Sequence, residues 1–119
     1  MSKHTRMDFQ TIQNKFSAVI KCNAEKLTAL NATELKSELL ILNKNGINNI
    51  ILDLSSTKYC DSSGLSAILS GNRLCKDTNG KFILCGMQPS VQKVIQIAQL
   101  DKVLLLTTTV EEAHQAIEN

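Results

Sequence analysis

Phe16, Ala18, Ile20 and Cys22 alternate with Ser17, Val19 and Lys21, the two-residue period of a strand with one buried face. Residues 7–13, ahead of the Asn14-Lys15 turn, read as its hairpin mate, so the chain is expected to open with antiparallel strands. The period then changes. Asn31, with Glu34 three residues on, matches a capping box, and Leu35, Leu39 and Leu42 recur at helical spacing until Asn45-Gly46 closes the run. The second half of 47–54 is nearly all apolar (Ile50, Ile51, Leu52, Leu54), as expected of a central strand covered on both faces. A polar loop, Ser55-Ser56-Thr57-Lys58, leads into a helix capped by Asp61 or Ser62, running to about Asp77 and closed by Asn79-Gly80. Residues 81–85 form the next strand. Pro89 suits the first turn of a helix on which Val91, Val94, Ile95 and Ala98 share a face. A last strand over 103–106 precedes a closing helix, with Thr109 and Glu112 as a second capping box and Val110, Ala113 and Ile117 on one side.

From residue 47 the order is strand, helix, strand, helix, strand, helix, which requires right-handed crossovers and a parallel sheet with helices packed on it. The expected class is α/β: a mixed, mostly parallel sheet of four to five strands with about four helices. With 119 residues the chain holds one domain, expected over 7–119, and residues 1–6 carry no pattern and read as a flexible lead-in.

Composition narrows the function classes. The chain is 43% hydrophobic but 3% aromatic, so its core is aliphatic and base-stacking platforms for nucleic acid are not expected. Thirteen basic and eleven acidic residues give a charge of +2 with no long basic run, so electrostatic binding to nucleic acid or membrane is not expected either. No apolar stretch has the length of a membrane span and the opening lacks a signal-peptide core, which points to the cytoplasm. Cys22, Cys60, Cys75 and Cys85 form no Cys-x-x-Cys pair and are expected to be reduced, small apolar side chains rather than disulfides or zinc ligands.

Catalysis finds little support. Ser62 or Cys60 would need His4 or His114 as a base; one histidine lies in the patternless start and the other in the last helix, and no Gly-x-Ser-x-Gly elbow is present. Asp53, Asp61 and Asp101 fall on different elements without metal-ligand spacing, and no phosphate-cradling Gly-x-x-x-x-Gly-Lys loop occurs, so no metal or cofactor is expected.

The polar loop before the second helix is the richer feature. It leaves a buried strand at its carboxyl end, where open α/β sheets meet ligands and partners, and enters the helix at Asp61 to Ser63. A phosphate on Ser62 would find backbone N–H groups nearby. By angle, Leu65, Ile68, Leu69 and Cys75 form that helix's buried stripe. Ser63, Ser66, Ser70, Arg73 and Asp77 share the opposite face, with Ala67 and Leu74 at its margin. This small, weakly charged face, together with the loop Thr57, Lys58, Tyr59, Cys60, Asp61 and Ser62, is the expected docking surface for another protein. Ser63 is expected as a cap or hydrogen-bond partner, and Gly64 as the residue that lets neighbouring backbone approach.

The run Tyr59-Cys60-Asp61-Ser62-Ser63-Gly64-Leu65, following Ile50-Ile51-Leu52-Asp53-Leu54-Ser55, resembles the signature of STAS domains of the anti-sigma factor antagonist type. The similarity continues through Gly80-Lys81-Phe82-Ile83-Leu84-Cys85-Gly86-Met87-Gln88-Pro89-Ser90-Val91 and the Leu100-Asp101-Lys102-Val103 turn to the final helix, over about 10–118. The resemblance implies that Ser62 is phosphorylated by a partner that is both serine kinase and anti-sigma factor, and that the unphosphorylated form binds that partner and frees the sigma factor. It implies a monomer or weak dimer that is not itself an enzyme, with nucleotide held by the partner. The family commonly has Gly-x-Leu-Asp before its first helix, where this chain reads Glu25-Lys26-Leu27-Thr28; Thr28 then supplies a neutral contact. The rival expectation is a scaffold or lipid-transport accessory module of the same fold, binding through the same helix without phosphorylation. Asp61-Ser62-Ser63-Gly64 fits the switch and Thr28 fits the scaffold.

Overall fold

The computed structural model describes residues 2–5 and 8–118, with side chains from Asp8 onward; Met1, Arg6 and Met7, within the expected lead-in and first strand, and Asn119 lie outside the described residues. Strands β1 (Ser2–Thr5), β2 (Phe9–Gln13) and β3 (Ser17–Cys22) form an antiparallel meander. A two-residue strand β4 (Lys26–Leu27) precedes helix α1 (Ala32–Lys44). Then come β5 (Asn49–Asp53), a two-residue β6 (Tyr59–Cys60) and helix α2 (Ser62–Asp77). The chain ends with β7 (Phe82–Cys85), α3 (Pro89–Ile97), a 3-10 turn at Leu100–Lys102, β8 (Leu105–Thr107) and α4 (Val110–Glu118).

The main sheet runs β1-β2-β3-β5-β7-β8, with β3, β5, β7 and β8 parallel. The expected α/β class, antiparallel at one edge and parallel beyond, is the one found. β5 is central: Ile51 lies between Val19 of β3 and Ile83 of β7. Its run Ile50, Ile51 and Leu52 is fully buried because both sheet faces are covered there. Each such side chain contributes about 2 kcal/mol by leaving water.

The two faces are covered unequally. On one, Leu35, Leu39 and Leu42 of α1, Ile68 and Cys75 of α2, and Val91 and Ile95 of α3 close the main core over Ile50, Leu52 and Leu84. On the other, α4 alone packs Ala113 against Ile51, Ile83 and Cys85.

Four expectations change. Ser2–Thr5, expected within a patternless lead-in, form β1 and pair antiparallel with β2. Phe16 is not on the inward face of β3 but in the turn before it, 62% exposed. Asn31 stands at the N-cap of α1 yet makes no side-chain cap bond: its amide oxygen accepts from Thr28 N at 2.9 Å, and its Nδ2 donates to Lys26 O and to Asp8 Oδ2. The amide is spent on the preceding loop, so no capping box forms with Glu34. The short pair β4 and β6 was not foreseen, because two residues are too few to display a period.

Candidate functional site

β5 ends at Asp53, and the chain turns at Leu54 to Thr57 before reaching β6 and α2. Thr57 N donates to Leu54 O at 3.0 Å, and the buried Thr57 hydroxyl donates to Ala24 O at 2.9 Å. Lys58 N and Tyr59 N donate to Glu25 O, and Lys26 and Leu27 pair in parallel with Tyr59 and Cys60. Asp61 N then donates to Leu27 O at 3.2 Å. The loop before α1 and the loop before α2 are thus one hydrogen-bonded unit. Gly64 makes the junction possible: a Cβ there would lie 2.5 Å from Leu27 O and 2.7 Å from Cys60 Sγ. This is the close backbone approach expected of Gly64.

Asp61 caps α2. Its backbone is extended, and its Oδ1 accepts from Gly64 N at 2.9 Å, satisfying one of the orphan amides of the first turn. With Asp61 in that role, Ser62 is the first helical residue and its side chain is exposed, with no capping work to do.

Ser62 stands on a ridge between two shallow grooves. The one toward α1 has a volume of about 270 Å³ and is lined by Ala29, Thr33, Lys36, Ser63 and Ser66, among others. The one toward α3 and the 3-10 turn, of about 360 Å³, is lined by Leu65, Ser66, Leu69, Ser70, Arg73 and Leu100, among others. A further groove of about 360 Å³ lies on the opposite sheet face, between α4 and β3, and includes Val19, Lys21, Val110 and His114. It shares no residue with the Ser62 ridge.

Lys58, Tyr59, Ser62, Ser66 and Arg73 are exposed around the ridge; Asp61, Ser63, Ser70 and Leu74 are half-buried. Leu74 rests against the main core, and the Ser70 hydroxyl donates to Ser66 O at 3.0 Å. Thr57, Cys60 and Ala67 are buried, and their side chains are removed from the expected docking face. Ala67 faces inward because α2 packs so close that Gly64, Ala67 and Gly71 line its contact side, while Leu65 and Leu69 are pushed half out. Thr28 lines neither groove beside Ser62; its hydroxyl accepts from Leu30 N at 3.2 Å.

Cys60 does not furnish a thiolate: burial, then the negative charge of Asp61, pushes its thiol up to about 12. His114 is on α4, in the groove on the opposite face, and the side chain of His4 lies outside the described residues. Among the described residues no group of three or more His, Cys, Asp or Glu is placed to hold a metal ion, and no helix is long and apolar enough to cross a membrane.

Sequence reasoning passed over Lys36 and Thr33, which face Ser62 from α1. It also passed over Leu30, which is 97% exposed in the loop just before α1. The signal was present: Thr33 and Lys36 occupy the polar positions of α1 at i and i+3. Only the packing of α1 against α2 shows which way they point.

Comparison with known proteins agrees with this architecture. Residues 7–113 match the STAS domain family. BtrV of Bordetella bronchiseptica, assigned as an anti-sigma factor antagonist, is 26% identical over 100 residues, covering 84% of this chain and 86% of BtrV. The crystal structure of TM1081 from Thermotoga maritima, assigned likewise, superposes with a TM-score of 0.86 at 24% identity, across 93% of this chain and 95% of that one. The anti-sigma factor antagonist SpoIIAA of Bacillus has been solved unphosphorylated and phosphorylated. The two forms give TM-scores of 0.70 and 0.72 at 21% and 22% identity, covering 92% of this chain and 94% and 98% of theirs. At these identities the solved structures share the fold.

Proposed function

The chain belongs to the STAS domain family, and from that premise we propose that it is an anti-sigma factor antagonist switched by phosphorylation of Ser62. In its unphosphorylated form it binds an anti-sigma factor that is also a serine kinase, and so releases the sigma factor. The phosphoryl group comes from nucleotide held by that kinase; this chain performs no chemistry of its own. It acts in the cytoplasm as a monomer or weak dimer.

The observation that supports the reading most directly is the division of labour at the start of α2. Asp61 caps the helix, which leaves the Ser62 hydroxyl exposed on its ridge for a kinase to reach. The relatives reported above as anti-sigma factor antagonists add to it, as does the existence of SpoIIAA in both phosphorylation states. The docking surface consists of Lys58, Tyr59, Ser62, Ser66 and Arg73, with Ser63, Ser70 and Leu74 at its margin; Thr57, Cys60 and Ala67 support it from beneath.

A phosphoserine adds about −1.5 to −2 charges next to Asp61. Within an interface such a group weakens binding by about 3 kcal/mol, roughly a hundredfold. The test is intact-mass measurement of the chain recovered from its host, beside Ser62→Ala. A single phosphate adduct on the native chain, missing from the variant, is expected. If no adduct forms in any growth state and the partner still binds, the chain is the unphosphorylated scaffold instead. Thr28 in place of the family's acidic residue is the feature that favours that second reading.

A further inference from the structure

We propose that Lys36 of α1 is the counter-charge for the phosphate on Ser62, which lies down into the groove between α1 and α2 instead of standing free in solvent. The inference rests on Ser62 being the acceptor and adds what receives the modification.

Helices α1 and α2 run side by side in the same direction. At their far ends Asn43 Nδ2 donates to Leu74 O at 3.3 Å and to Thr78 Oγ1 at 3.1 Å. At their near ends Thr33 and Lys36 face Ser62, Ser63 and Ser66 across the groove. Lys36 is one turn into α1, and helical side chains lean toward the N-terminus of their helix, so its side chain can extend toward the end of the groove that Ser62 occupies.

Lys36 is the sole charged residue lining this groove. Among the described residues it makes no hydrogen bond or ion pair, whereas Lys58 is joined to Glu25 at 3.3 Å and Lys21 to Asp53 at 3.7 Å. The other charges near Ser62 are distributed differently. Asp61 is adjacent, but one of its oxygens holds Gly64 N. Arg73 lies three turns further along α2, in the other groove. Lys36 is therefore the cation with both the position and the freedom to meet a dianion on Ser62. The Thr33 hydroxyl lies on the same wall and offers a donor. A phosphate drawn into this groove fills the space beside Ser62 and neutralises Lys36, so a partner that used either would lose both at once.

The test installs phosphoserine directly at position 62 by genetic encoding and follows the phosphorus resonance against pH at low salt. Its second ionisation is ordinarily near pH 6. A cation lining the same groove favours the dianion and lowers that midpoint by roughly half a pKa unit, about threefold in proton affinity. Lys36→Gln is expected to raise the midpoint by that amount, Lys36→Arg to restore it, and Lys93→Gln, at an exposed position of α3 that does not line this groove, to leave it unchanged. The difference should shrink in about 1 M salt, where the screening length is only about 3 Å. Superimposable curves for native and Lys36→Gln, or an equal shift from Lys93→Gln, would overturn the proposal. Because the phosphate is encoded, this outcome is independent of whether a host kinase modifies Ser62, which the mass measurement decides separately.

Discussion

Asp61 and Ser62 are neighbours in a short polar run, yet Asp61 caps the helix while the Ser62 side chain stands exposed, a difference that substitution can separate. Asp61→Ala removes the acceptor for Gly64 N and should lower stability by about 1 kcal/mol, read as a shift of the denaturant midpoint. Ser62→Ala should leave that midpoint within about 0.5 kcal/mol of native, since its side chain is exposed and does no capping. Equal losses would mean that Ser62 shares the cap. Gly64→Ala should be the most damaging of the three, at about 2–3 kcal/mol. Its methyl would press on the Leu27 carbonyl, and backbone in a paired strand cannot yield as a flexible side chain does. Much of this was legible in the sequence: the position of Ser62, the cap at Asp61 or Ser62 and the close approach at Gly64 all follow from local residue chemistry. The inward turn of Ala67, Cys60 and Thr57 was not. A stripe drawn by residue size places Leu65 inside and Ala67 at the margin, but tight packing of α2 reverses the order, because only small residues fit at the closest contact.

The elements themselves were mostly readable, because long helices and the buried β5 announce their period over many residues. The two helix starts with capping-box patterns show where such reading stops. At α4 the pattern is used: Thr109 Oγ1 accepts from Glu112 N at 3.1 Å, and Glu112 Oε1 reaches back past the cap to accept from Thr108 N at 2.9 Å. At α1 the same pattern is unused, because Asn31 is drawn to Lys26 O and Thr28 N by the loop it closes. Thr109→Ala should therefore cost about 1 kcal/mol and expose the face that α4 alone covers, read as faster amide exchange at Ile51 and Ile83 than in the native chain. Glu34→Ala at the unused box should leave the start of α1 as protected as before. The pair β4 and β6, invisible in the sequence for its brevity, is what the tertiary structure adds to the site.

At the scale of the whole molecule, the four cysteines bind its stability to pH. All are free and buried; desolvation first of all raises the Cys22 thiol and pushes those of Cys60, Cys75 and Cys85 up to about 12. In the unfolded chain they ionise near 8.5. Between those values the unfolded state has lost protons that the folded state keeps, so stability is complete below about pH 8 and falls as pH rises toward 12. Denaturant midpoints measured from pH 8 to 11 should decline, and Cys75→Ala, though less stable at every pH, should decline less steeply. A slope unchanged by that substitution would remove Cys75 from the account. The joined loops ahead of α1 and α2 have a different consequence for the molecule. Leu27 is pinned beneath α2 and Asn31 is tied to its own loop, yet the side chains of Ala29 and Leu30 between them are exposed and take no part in the core. Those two positions can be rewritten without disturbing the packing beneath them.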